Sequence, residues 1–255
     1  MTDHLLIEKS ASVLVLTLNR PQKKNALTRS MYRALGEAID EAGRDDEVRA
    51  ILIQANGDSF TAGNDLAEFA AVAAGDVGLR ETMDGGNPLL RALIAARKPV
   101  VAAVQGRAVG IGVTMLLHCD LVFVAEDAIL VTPFVDLALT PEAASSLLLP
   151  ARIGHARAFA MIVLGEPVDG RTAVDWGLAN AVAPVSELRA RALAAAAAVA
   201  FRPSTAVAVT KSLMRSPEVL TAVMEEERTL FIAQLQTDEA RAAISAAIGR
   251  VRPSR

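Results

Sequence analysis

Short apolar runs recur through the first half of the chain, and each gives way to a turn and then to a helical stretch. Ser12–Leu18 reads SVLVLTL, Val48–Gln54 reads VRAILIQ, Pro99–Val104 reads PVVAAV and Leu121–Ala125 reads LVFVA. Runs of this length with turn signals at their ends suit buried strands. Strand and helix in alternation, joined by short loops, predict an α/β fold with crossover connections. His4–Glu8 adds a further strand. Thr28 reads as the N-cap of a helix reaching about Ala42, and Pro88–Ala96 as another helix. The glycine-rich stretch Ala71–Asn87 is the least regular part. From Glu142 onward nearly everything reads as helix. Helices alone follow residue 200, which divides the chain into a core (1–200) and a C-terminal helical segment (201–255).

Several function classes are disfavoured at this level. The 255 residues are 52% hydrophobic, as a packed globular protein requires. A net charge of −3 with scattered basic residues gives no nucleic-acid footprint. Cys119 is the single cysteine, so an internal disulfide is impossible, and its neighbours Leu116, Leu117, Leu121 and Val122 predict a buried, inert thiol. The three histidines, His4, His118 and His155, lack metal-ligand spacing. The opening MTDHLLIEKS lacks a basic region followed by an apolar run. Apolar stretches stop well short of a membrane span. A cytoplasmic protein with no membrane partner is expected.

Three short constellations could carry chemistry. Ala62-Gly63-Asn64-Asp65-Leu66 follows a strand, with Asp65 placed to cap the helix that begins near Leu66. It is a strand-to-helix turn with its cap, or a place where the Asn64 N–H faces a cleft. Val109-Gly110-Ile111-Gly112 opens another helix, whose first-turn N–H groups lack partners within the helix. A dinucleotide fingerprint fails here, because Met115 stands where the third glycine is needed. Thr140-Pro141-Glu142 reads as an ordinary helix start, or as a carboxylate at the foot of a cleft whose proton affinity burial would raise. The set His118-Cys119-Asp120 cannot converge as a nucleophilic triad from adjacent positions.

Together the segments LTLNRPQKKNAL, ILIQANGDSFTAGNDLAEF, RKPVVAAVQGRAVGIGVTMLLHCDLVFVAEDAIL and LGEPVDGRTAVDWGLANAV resemble the crotonase superfamily of enoyl-CoA hydratases and isomerases. They run in order from about residue 12 to 183. The resemblance implies a spiral of β-β-α units, trimers or pairs of trimers, and an acyl-CoA thioester as substrate with no further cofactor. It implies that the thioester oxygen sits between the Asn64 and Ile111 N–H groups. It also implies that Ala62–Leu66, Gly110 and the loop holding Lys24 and Ala26 contribute to coenzyme A binding. The two glutamates of family hydratases correspond to Thr114 and Phe134 here, neither of which can act as a carboxylate. TPFVDLALTPEAASSLLLP is more like the peroxisomal-type delta-3,delta-2-enoyl-CoA isomerases, whose single catalytic glutamate corresponds to Glu142.

Overall fold

The computed structural model describes residues 3–73 and 86–251. Strands β1 (Leu5–Ser10) and β2 (Val13–Leu18) form an antiparallel hairpin. Next to β2 run β3 (Ala50–Ala55), β4 (Val100–Val104), β6 (Leu121–Ala125) and β9 (Ala181–Ala183), all parallel, giving a six-stranded sheet ordered β1-β2-β3-β4-β6-β9. A second sheet of three short strands, β5 (Arg107–Val109), β7 (Ile129–Val131) and β8 (Val168–Asp169), stands beside it. The chain visits the large sheet, then the small one, then a helix. Thr61 extends the small sheet by a single bridge to Ala108.

Both faces of the large sheet are covered, and this accounts for strands that read as continuous apolar runs. Successive side chains of a strand point to opposite faces. Leu16, Leu18, Ile51, Ile53, Val100 and Ala102 join a core containing Met31, Leu35, Leu89 and Leu93 from helices α1 (Arg29–Arg44) and α3 (Pro88–Ala95). Val13, Val15, Ala50, Leu52, Val101 and Ala103 face Ala192, Ala196 and Ala200 of a long helix, Val185–Ala200. Gly36 lets α1 lie against α3, since a Cβ there would come within 2.8 Å of the Pro88 carbonyl oxygen.

The expected helix caps form. Thr28 Oγ1 accepts the Met31 N–H at 3.3 Å, and Asp65 Oδ1 accepts the Ala67 N–H at 3.0 Å at the start of α2 (Leu66–Ala73). The region after Glu142 is mostly helix, as expected, with the short strands β8 and β9 within it. One expectation needs correction. The helix expected to start at Thr140 starts instead at Ser145. Thr140 is not its cap: the Thr140 hydroxyl is buried and has no partner among the described residues. Most of the irregular stretch 71–87 lies outside the described residues. The C-terminal helices include α10 (Pro217–Leu235), which packs on α3. Among the described residues no single helix is long and apolar enough to cross a membrane.

Candidate active site

The loops leaving β3 and β4 are fastened side by side. Thr61 donates its N–H to Arg107 O at 3.1 Å and accepts the Val109 N–H at 3.0 Å. Glycine is required at the contact. A Cβ on Gly63 would lie 2.8 Å from Val109 O, and one on Gly112 would lie 2.5 Å from Thr61 Cγ2. Gly63 and Gly110 also have φ of +87° and +55°, which side chains resist. A third segment joins from below. Leu27 donates to Gly63 O at 2.7 Å and accepts the Asp65 N–H at 2.9 Å, while Ala62 donates to Lys24 O at 2.8 Å. Asn25, fully buried at φ +52°, ties that segment down by accepting the Arg20 N–H and donating to Asn56 O and Ser59 O.

Thr61 Oγ1 accepts the Gly63 N–H, Leu27 O accepts the Asp65 N–H and Val131 O accepts the Gly110 N–H, so several amides beside Asn64 and Ile111 are occupied. Among the described residues neither the Asn64 nor the Ile111 N–H has a protein acceptor. Both residues line one cavity of about 300 Å3, and Glu142 lines it too. Three of the residues expected from sequence to carry chemistry thus share one space. Asp65 joins them on the wall, its carboxylate 2.6 Å from Arg20 Nη1. Ala62, Gly63, Leu66, Gly110, Lys24 and Ala26 do not line the cavity. Ala62, Gly63 and Gly110 act through the backbone just described, and Lys24 holds Asp58 at the surface, 2.5 Å away.

Of the three carboxylates on the wall, Asp65 is engaged by Arg20 and Glu68 accepts the Arg29 N–H at 2.8 Å. Glu142 has a neutral donor, the Thr114 hydroxyl. Burial pushes Glu142 up from 4.5 to about 8, Thr114 pulls the other way, and the charge of Glu227 adds to the rise. A carboxyl tuned to this range is suited to taking and returning a proton near neutral pH. Phe134, which the sequence resemblance matches to a family glutamate, is buried.

Sequence reasoning missed several wall residues. Tyr32 on α1 donates its hydroxyl to Asn64 Oδ1 at 2.5 Å. Burial, then the charges of Glu142 and Glu68, hold that phenol well above 10 and therefore neutral. Met224, Phe231, Ile232 and Leu235 of α10 with Phe69 of α2 make the apolar end. Their helical spacing on α10 is visible in the sequence, but spacing alone gives no sign that they face a cavity. Cys119 is buried, and its thiol is pushed up by burial to about 12, as an inert thiol should be. Among the described residues no three His, Cys, Asp or Glu side chains gather as a metal site needs.

Comparison with known proteins gives the family. The family model for enoyl-CoA hydratase/isomerase matches residues 8–252. The enoyl-CoA delta isomerase 2 of Rattus norvegicus is 34% identical over 252 residues, covering 96% of this chain and 63% of that protein, so the chain spans about two thirds or less of that relative's length. The 2,3-dehydroadipyl-CoA hydratase of Escherichia coli (strain K12) is 32% identical over 252 residues, covering 98% of this chain and 97% of that one. The solved structure of Pseudomonas aeruginosa OdaA superimposes with a TM-score of 0.89 at 42% identity, covering 97% of this chain and 99% of that chain. An enoyl-CoA hydratase/isomerase from Pseudoalteromonas atlantica T6c gives 0.89 at 38%, covering 99% and 100%. With its crotonase fold, this chain belongs to the enoyl-CoA hydratase/isomerase family.

Proposed function

We propose that the chain is an acyl-CoA isomerase that moves a 3-enoyl double bond to the 2-position. The observation that carries this reading is the pairing of one cavity carboxylate, Glu142, with two backbone N–H groups that have no protein acceptor among the described residues. Ionised Glu142 takes a proton from C2, and the electrons move onto the thioester oxygen as a dienolate. The Asn64 and Ile111 N–H groups stabilise that oxygen, and losing one such donor typically costs roughly 100- to 1,000-fold in rate. The protonated Glu142 then delivers the same proton to C4, which restores the carboxylate. Substrate and product have the same atoms, so neither water nor a further cofactor enters.

The carboxylate count supports isomerisation over hydration. By the sequence resemblance Thr114 and Phe134 correspond to the two hydratase glutamates, and Thr114 reaches Glu142 as a hydroxyl donor. The apolar end formed by Phe69, Met224, Phe231 and Leu235 suits a hydrocarbon acyl tail. Coenzyme A would lie along the rim where Ala62–Leu66 meets the loop holding Lys24 and Ala26. The assembly proposed is a trimer or a pair of trimers, supported by Phe201, Leu213 and Met214, which are 88%, 83% and 82% exposed on the single chain.

Incubation with 3-hexenoyl-CoA should yield 2-hexenoyl-CoA, and Glu142→Ala should abolish it. A Glu142→Ala protein with undiminished isomerisation removes Glu142 from the mechanism. Hydration of 2-hexenoyl-CoA without isomerisation would replace the reading with a hydratase. Binding of acyl-CoA with no turnover of either compound would replace it with a binding protein.

A further inference from the structure

Glu142 is followed by two alanines in the left-handed region, Ala143 at φ +63° and Ala144 at φ +55°. Alanine has no side-chain oxygen with which to stabilise such a turn and resists these angles. Helix α5 (Ser145–Ile153) then begins with Ala144 as its N-cap and no side-chain cap of its own. An elbow of this kind persists when its surroundings hold it, and two buried side chains from remote elements do so.

From one side comes His118, at the end of the turn that continues α4 (Ile111–Thr114), the helix that supplies the Ile111 amide. Arg215 can only donate, so its bond to His118 Nδ1, at 2.6 Å, places the ring hydrogen on Nε2. Nε2 then donates to Ala143 O at 2.7 Å. From the other side comes Glu227 of α10, 6% exposed. Its Oε2 accepts the Ala144 N–H at 2.5 Å and its Oε1 accepts the Ser146 N–H at 2.8 Å. The carboxylate thus supplies the cap that Ala144 cannot.

We propose that Glu227 is a positioning residue: clamped on Ala144 and Ser146, it holds the left-handed elbow that aims the Glu142 carboxylate into the cavity. The proposal rests on Glu142 being the proton carrier. Small displacements of a reacting group cost large factors in rate, about 100-fold for 1 Å. Glu227 also acts through its charge, which disfavours ionised Glu142. Among the described residues the Thr114 hydroxyl and the neutral Tyr32 phenol also act on or sense Glu142. Arg29, Arg33, Asp65, Glu68 and Arg228 line the same cavity, Glu226 adjoins Glu227, and buried His118 stays neutral, lowered by burial to about 3.

Glu227→Gln is the test. Glutamine offers one acceptor where two N–H groups need one each, and it removes the charge. The kcat for 3-hexenoyl-CoA is expected to fall roughly 10- to 100-fold with KM changed less than about threefold. The ionisation midpoint of Glu142 is expected to move to lower pH. That midpoint is read twice: from the pH dependence of kcat/KM, and from carboxyl 13C shifts of glutamate-labelled protein, with Glu142→Gln assigning the signal. If E227Q does not fold, E227Q combined with A144G replaces it; glycine takes the left-handed angle without strain, so the Glu142 midpoint should still move to lower pH while part of the kcat loss is recovered. A folded variant with unaltered kcat and an unmoved Glu142 midpoint overturns the proposal. A carboxyl signal that moves in E227Q while wild-type protein fails to isomerise 3-hexenoyl-CoA sinks the isomerase reading and leaves the clamp standing.

Discussion

The Thr114 hydroxyl donates to Glu142 Oε1 from a helix that begins with the Ile111 amide. One short element therefore carries the Ile111 N–H at its first residue and touches Glu142 at its last. The hydroxyl favours the ionised form, against burial that raises the carboxyl to about 8. Thr114→Val keeps the shape and removes the donor, so Glu142 rises further. With a base near 8, roughly one molecule in ten is ionised at pH 7, and each further unit removes about tenfold. The expected result is a loss of about 3- to 10-fold in kcat/KM at pH 7, largely recovered above pH 9, seen in a pH–rate profile with 3-hexenoyl-CoA.

Glu142 should also cost stability as the pH rises. Its folded pKa of about 8 exceeds the unfolded value of 4.5, so the folded state binds the extra proton between them. The stability linked to that proton is fully present below pH 4.5 and is lost as pH climbs through 8. A shift of this size corresponds to at most roughly 4–5 kcal/mol, and partial access to the cavity reduces it to about 2–3. Glu142→Gln, neutral at every pH, should therefore exceed wild type by about 2–3 kcal/mol at pH 9 and match it near pH 4. Urea unfolding at the two pH values measures this. An equal difference at both would show that Glu142 titrates normally.

The close contact of the two loops gives a third expectation. Gly63→Ala puts a Cβ 2.8 Å from Val109 O at φ +87°, and the Asn64 and Ile111 amides, proposed to hold the thioester oxygen, follow the two sides of that contact by one and two residues. Backbone must shift, and a donor moved off its target costs about 100-fold in kcat. The strain should lower stability by about 1–3 kcal/mol. Gly43→Ala is the control. Gly43 lies within α1, with nothing within 4 Å of its new Cβ, and alanine there should stabilise the helix by about 0.5–1 kcal/mol and leave kcat unchanged. Steady-state kinetics with thermal melts of both variants decide it.

How far these features can be read from sequence depends on how local their causes are. Strands β2, β3, β4 and β6 announce themselves because both faces are buried and every residue is selected for it. Strands β5, β7 and β8 hold two or three residues each, and Leu130 pairs with both Ala108 and Val168, far away in the chain. No window of sequence contains that information. Motifs mark Asn64, Ile111 and Glu142, and the three share a cavity. Thr140-Pro141-Glu142 carries helix-start residues, yet the helix begins at Ser145 for a related reason. The angles at Ala143 and Ala144 depend on His118, 25 residues before Ala143, and on Glu227, 83 residues beyond Ala144. One hint existed: Glu227 sits with Leu220 and Met224 on the buried side of an amphipathic helix, where an unpaired acid would be costly.

The exposed side chains near the C-terminus test the proposed assembly. Leu213 and Met214 end the helix Ser204–Met214, and Phe201 precedes it, each more than four fifths exposed. Three large apolar side chains over fourteen residues, left in water, are a standing cost that a second subunit would relieve. Their removal from water at about 25 cal/mol per Å2 contributes a few kcal/mol per contact. Wild-type protein is expected to sediment at three or six times 26.8 kDa. Leu213→Glu with Met214→Glu should move it toward the single-chain mass, because a charge buried at such a contact without a partner is strongly unfavourable. The six-stranded sheet and its covering helices do not include these two positions, so circular dichroism should stay native while the mass falls. A wild-type protein that sediments as a single chain at micromolar concentration would leave these side chains without the role assigned to them.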